Sequence, residues 1–276
     1  MSESPDAVGP AVVVEQVVVG GLAIGFRRAG EGPPLVLLHG GMGDSRGWPD
    51  QLRDLSEEYG VVAWDAPGCG SSSDPPETFG LPDYADSLAG FVDALDLGRP
   101  HVLGHSFGSG LALEFYRRHP GLPRSLILAG PYAGWAGSLP AEEVEKRLRL
   151  ALETAELLPG RFDPRSIPGL FSDVMPADKR ELLALVMSDA RPAGTRVMAQ
   201  AFAEADLRDV LPRIEVPTLL LCGEADERSP LTVGRALHAA IPGSTLVVLP
   251  GVGHESFFEA PERFNAEVRS FLRSVG

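Results

Sequence analysis

The stretch HVLGHSFGSG, His101 to Gly110, sets a serine between an apolar run and a helix-like one. Ser106 is the centre of a Gly-x-Ser-x-Gly. Glycine supplies 32 of the 276 residues, so the five-letter pattern arises easily by accident and its surroundings must decide its meaning. Before it, HVLG reads as a buried strand. After it, FGSGLALEFYRRHPG reads as a helix that stops at Pro120-Gly121. A serine at such a strand–turn–helix bend is held at the carboxyl end of a sheet, with its hydroxyl exposed. A Cβ at Gly104 or Gly108 would crowd the bend. The helix that follows offers its first amides and positive dipole end to a developing oxyanion, with the Phe107 amide as first donor.

Outward from this bend, apolar runs recur. AVVVEQVVV (11–19) and LAIGFRRA (22–29) meet at Gly20-Gly21 and predict a β-hairpin. The runs at 34–40, 61–68, 101–106, 124–130, 217–226 and 244–251 are continuous rather than alternating, as in strands buried on both faces of a parallel sheet. Helical patterns lie between them. In 81–98, Leu81, Tyr84, Ala85, Leu88, Phe91, Val92 and Leu95 form one apolar face closed by Gly98. The expected fold is therefore α/β: a mostly parallel eight-stranded sheet with helices on both faces.

One segment interrupts the alternation. Between Pro131 and Pro212 there is no strand-like run, but three helical patterns, AEEVEKRLRLALETAELL, ADKRELLALVMSDA and GTRVMAQAFAEADLRDVL. That is too long for an ordinary crossover. Residues 132–212 are expected to form an inserted helical lid, with 1–131 and 213–276 as the core. Plain surface helices are the alternative. Tyr132, Trp135, Phe171 and Met187 are candidate substrate-pocket residues if the lid shapes the site, and ordinary lid core if it does not.

A serine hydroxyl needs a base, and the base needs an orienting carboxylate. His254 lies in LPGVGHESFFEAPE, a Gly-rich loop after the last strand, placed to reach over the strand ends. His105 adjoins the serine and should point away from it. The carboxylate belongs after the penultimate strand, in LLLCGEADERSP: Asp226 is preferred and Glu224 competes. Asp65, in WDAPGCGSS, reads as a structural cap. In LLHGGMG, Gly41 offers a second oxyanion amide, with Met42 behind it as a pocket wall. A phosphate loop is the other reading of that glycine pair, but no Gly-Lys-Ser/Thr follows.

LLHGG, WDAPGCGSS, GHSFG, CGEAD and GVGHE stand in the order found in α/β-hydrolase fold enzymes, which this chain resembles over nearly all of its length outside the lid. The resemblance implies a Ser-Asp-His order of catalytic residues. It implies hydrolysis of a small-molecule ester, lactone or thioester by Ser106, Asp226 and His254, with Gly41 and Phe107 as oxyanion donors and no metal or cofactor. Serine at the elbow departs from the haloalkane dehalogenases and soluble epoxide hydrolases, which use aspartate. HGG with DAPGCGSS is similar to proline iminopeptidases, but Met42 replaces the proline of their HGGPG. A C–C hydrolase, an iminopeptidase-like aminopeptidase, a cofactor-free perhydrolase and a non-catalytic receptor are the alternatives.

Composition bounds the partners. The formal charge of −14 would repel a phosphate backbone, so nucleic acid is not expected. No run approaches the roughly 18 apolar residues of a membrane span. Cys69 and Cys222 build neither a disulfide framework nor a Cys-x-x-Cys site. MSESPDAVGP lacks the basic start and apolar core of a signal peptide. The expectation is a cytoplasmic monomer or homodimer.

Overall fold

A computed structural model describes residues 13–276. Its eight strands are β1 (Glu15–Val19), β2 (Leu22–Ala29), β3 (Pro34–Leu38), β4 (Gly60–Trp64), β5 (His101–His105), β6 (Ser125–Ala129), β7 (Thr218–Gly223) and β8 (Thr245–Leu249). They form one sheet in the order β1-β2-β4-β3-β5-β6-β7-β8. The β1–β2 and β2–β4 pairs are antiparallel and the rest are parallel. The expected eight-stranded, mostly parallel sheet is what forms. Positions 11 and 12 of the first expected strand lie outside the described residues. Val19 pairs with Leu22 across Gly20 and Gly21, both at positive φ, as a two-residue hairpin turn requires.

The parallel strands read as unbroken apolar runs because both of their faces are covered. Val36, Leu38, Val102 and Leu128 face one core with Leu88 and Phe91 of α2 (Leu81–Ala94) and Leu111 and Phe115 of α3 (Phe107–Arg118). Leu35, Leu37, Leu103 and Ile127 face the other, with Leu52 of α1 (Pro49–Asp54) and Phe264, Val268 and Leu272 of α9 (Pro261–Val275). Each fully buried leucine or phenylalanine there contributes about 1.5–3 kcal/mol.

Several strands end before their apolar runs do. β4 stops at Trp64 and β7 at Gly223, because the residues beyond leave the sheet to build loops. Gly223 marks such a point: a Cβ there would lie 2.3 Å from the carbonyl oxygens of Val252 and Gly253. β3 runs outward to β4 on one side while β5 lies on its other side, so the carboxyl ends of β3 and β5 flank the point where strand order reverses. Such points are the usual crevices for ligands in open α/β sheets.

Between β6 and β7 lie α4 (Ala141–Leu157), α5 (Ala177–Ser188) and α6 (Pro192–Glu204). The third helical pattern in the sequence runs on to Leu211, but the helix does not. It ends at Glu204 because Ala205 is extended and the Leu207 amide bonds the Ala133 carbonyl, 2.9 Å, instead of the preceding turn. α7 (Leu231–Ala240) and the short α8 (Ser256–Glu259) complete the chain. Among the described residues no helix is long and apolar enough to cross a membrane.

Candidate active site

β5 ends at His105 and α3 starts at Phe107, so Ser106 alone makes the turn. Its φ of 52° and ψ of −112° are strained for a non-glycine residue. The frame around it enforces this. The Ser106 amide continues the sheet ladder to the Ala129 carbonyl at 2.9 Å. A Cβ on Gly104 would come 2.0 Å from the Gly108 carbonyl oxygen, and one on Gly108 would come 2.2 Å from that of Leu38. Only glycine at both places lets α3 start this close to β5 and β3. As the residue before α3, Ser106 leaves the Phe107 amide among the first-turn donors that no helical carbonyl can reach.

The turn after β3 borders the same space. Gly43 donates to the Gly40 carbonyl at 3.1 Å, and an added Cβ on Gly40 would lie 3.4 Å from that of Ser106. Gly41 has open space on its side-chain face. His39 anchors the turn. Its Nε2 accepts from the Ala66 amide at 3.0 Å, which leaves Nδ1–H to donate to the Gly40 carbonyl at 2.8 Å. Burial pushes its pKa down and keeps this neutral form. Asp65 accepts from the Ser45 and Ser71 amides at 2.7 and 2.9 Å, the structural cap expected of it.

His254 and Asp226 meet at the ends of β8 and β7. Nδ1–H of His254 donates to Asp226 Oδ2 at 2.8 Å, with both side chains buried. Asp226 Oδ1 accepts from the amides of Arg228 and Ser229, each at 2.8 Å. The competing Glu224 is exposed and accepts from the Gly251 amide at 3.0 Å, away from the imidazole. Ser106, Gly41, Phe107 and His254 line one cavity. Among the described residues Ser106 Oγ makes no hydrogen bond to the imidazole. Such contacts commonly tighten only when substrate arrives.

Met42, Tyr132, Trp135 and Met187 line that cavity too. Phe171 does not. Its neighbour Leu170 takes the wall, and Phe171, half-buried, packs against the core on the α9 face of the sheet. Adjacent residues on this irregular stretch point in different directions, and no periodicity in the sequence marks which faces inward.

His105 is the residue that sequence reasoning passed over. It points away from Ser106, as expected, but it is not idle. Its Nε2–H donates to the His254 carbonyl at 3.0 Å, and the two rings lie 4.8 Å apart. Burial and the neighbouring His254 hold its pKa well below the usual imidazole value. Glu255, also buried, has its Oε2 3.9 Å from His105 Nδ1, and burial pushes its pKa up to about 7. His105, His254 and Glu255 bring ligand atoms within 4.8 Å of one another. A cation held there would occupy a His254 nitrogen, either the one bonded to Asp226 or the one a base would use.

The profile of the alpha/beta hydrolase family matches residues 35–267. A thermophilic esterase from Thermogutta terrifontis superposes with a TM-score of 0.87 at 30% identity, over 95% of this chain and 99% of that one. A putative carbamate hydrolase, RutD, from Cronobacter turicensis is 30% identical over 88% of this chain and 92% of its own. A proline iminopeptidase from Lactobacillus helveticus is 29% identical over 88% and 90%. The matched span runs unbroken from β3 through the Ser106 turn to the His254 loop and into α9, and on it the chain belongs to the alpha/beta hydrolase family of enzymes.

Proposed function

We propose that this hydrolase cleaves a small-molecule carboxylic ester, lactone or thioester through an acyl-enzyme on Ser106. The observation that carries the reading is the 2.8 Å bond from His254 Nδ1–H to Asp226, which leaves Nε2 as a proton acceptor in the cavity that Ser106 lines. Ser106 Oγ attacks the carbonyl carbon and His254 takes its proton. Asp226 holds the imidazole in this tautomer and stabilises its positive charge. The Gly41 and Phe107 amides bind the oxyanion; losing one such donor typically lowers the rate by about 10²–10³. Collapse expels the alcohol or thiol, which takes the proton from His254. Water then attacks the acyl-enzyme with His254 again as base. The mechanism needs no metal or cofactor. Residues 132–212 act as a lid on a core that, among the described residues, comprises 13–131 and 213–276, because α4, α5 and α6 all contribute residues to the cavity wall.

The aminopeptidase reading is weaker. Met42 has φ 59°, which proline cannot adopt, so this turn differs in backbone from a Gly-Gly-Pro-Gly turn. A fluorophosphonate probe should label the wild type and not Ser106→Ala, and p-nitrophenyl esters should be turned over faster than Pro-β-naphthylamide. Labelling of the Ser106→Ala protein would sink the assignment.

A further inference from the structure

Among the described residues two cationic side chains line the cavity, Arg147 from α4 and Arg228 from the loop after β7. They differ in one respect. Arg147 is fully engaged: Nε donates to Glu143 at 2.7 Å, Nη1 to Tyr132 Oη at 2.9 Å, and Nη2 to the Arg228 carbonyl at 3.0 Å. Its charge is offset by Glu143. Arg228 is held by its main chain, the amide on Asp226 and the carbonyl accepting from Tyr132 Oη and Arg147. Its guanidinium has no carboxylate within 4.0 Å and no hydrogen bond among the described residues, and its Nε is buried without a partner.

The nearby acids do not fill this role. Asp226 spends one oxygen on His254 and the other on two amides. Glu255 is pushed toward its neutral form by burial. Asp44, also on the wall, pairs with Arg46 at 2.7 Å. A half-buried guanidinium whose Nε is out of water with nothing to bind is an expensive arrangement. It becomes favourable when a ligand brings the missing charge. Glu143 pairs with Arg147 at 2.7 Å and with Lys146 at 3.5 Å, so of the two cavity arginines Arg228 is the one whose guanidinium is left for a ligand, and a single planar guanidinium matches one carboxylate.

We propose that the substrate carries a carboxylate beyond its scissile acyl group and that Arg228, braced by Tyr132 and Arg147, is the residue that binds it. The inference rests on the acyl-hydrolysis reading above, which it narrows to anionic substrates. The planar fork of an arginine suits a carboxylate in two-point contact.

The test uses length-matched ester pairs, corrected for spontaneous hydrolysis. Mono-p-nitrophenyl glutarate against p-nitrophenyl valerate places the carboxylate on the acyl side. 4-Acetoxybutyrate against butyl acetate places it on the alcohol side. In one pair the anionic member should have the higher kcat/KM, by about tenfold to a hundredfold, as a charged hydrogen bond supplies. Arg228→Gln should collapse that ratio toward one, and Arg228→Lys should keep part of it. A wild type that prefers the neutral ester in both pairs, or a preference that survives Arg228→Gln, would overturn the proposal. A binding arm is independent of turnover: calorimetry of monoethyl glutarate on Ser106→Ala and on Ser106→Ala with Arg228→Gln. Binding that depends on Arg228 in an enzyme that turns over no ester would uphold the anion site while discarding the acyl-hydrolysis reading. Ester turnover with no Arg228-dependent binding or preference would do the reverse.

Discussion

Replacing Asp226 by asparagine tests the base assignment most sharply, because the structure dictates how the new amide must sit. Asp226 Oδ1 accepts from two amides, those of Arg228 and Ser229, and Oδ2 accepts from His254 Nδ1–H. An asparagine has one oxygen and one NH₂. Turning the NH₂ toward the two amides would leave buried donors facing a donor, at about 1–3 kcal/mol each, or about 2–6 kcal/mol in all. The oxygen therefore stays on the amides and the NH₂ faces His254. Nδ1 must then accept, the proton moves to Nε2, and the imidazole can no longer take a proton from Ser106. The shape of the site is unchanged. The expected result is a fall in kcat of roughly 10³–10⁴ on a p-nitrophenyl ester, with thermal unfolding close to wild type. Nitrogen-15 NMR of labelled histidine should show His254 changing from the Nδ1–H to the Nε2–H form. An Asp226→Asn enzyme within tenfold of wild type, or an unchanged tautomer, would refute the reasoning.

Other expectations follow from the same contacts. Gly104→Ala should destabilise by about 3 kcal/mol in urea unfolding, because its Cβ meets main-chain oxygen at 2.0 Å; a loss below about 1 kcal/mol would contradict the packing described. His105→Phe leaves the His254 carbonyl without its donor, and should lower stability by about 1–3 kcal/mol and reduce kcat. Glu255→Gln should stabilise the protein relative to wild type at pH 8 and not at pH 4: the folded carboxyl is raised to about 7, so its contribution is full below its unfolded value and lost as pH rises through 7. His39, His101 and His105 act with the opposite sign. Burial lowers each, His101 to about 4, so their contribution is present above the ordinary imidazole value and lost as pH falls below it. The urea midpoint of Glu255→Gln should therefore drop between pH 7 and pH 4, and a flat profile would count against the buried neutral imidazoles.

The parts legible in the sequence were those set by local pattern. The runs from Pro34 to Ala129 announce buried parallel strands because covered faces need continuous apolar side chains. Ser106, Asp226 and His254 stand out as candidates in the sequence because each follows a strand end in a fold whose strand ends converge. What escaped depends on packing between distant segments. Arg147 reads as one more charged residue on a polar helix, paired with Glu143 four positions earlier, and nothing local announces that it turns inward to brace Tyr132. Arg228 looks like loop solvation. Phe171 and Leu170 are equally apolar neighbours, and only the fold of the 158–176 stretch decides which one meets the cavity. The end of α6 is illegible for the same reason, since Ala133, some seventy residues upstream, captures the Leu207 amide that would extend it.

The bond from His105 to the His254 carbonyl has a mechanical consequence. His105 is covalently next to Ser106, the proposed nucleophile, and His254 belongs to a loop that arrives almost 150 residues later. Without a tether, the thermal jitter of β5 and of the late loop would be independent, and their displacements would add in the gap between Ser106 and His254. A 3.0 Å clamp from the buried His105 imidazole to the His254 carbonyl makes that jitter common to both. The loop then rides with the strand, and the spacing between Ser106 and His254 wanders less than it would without the tether.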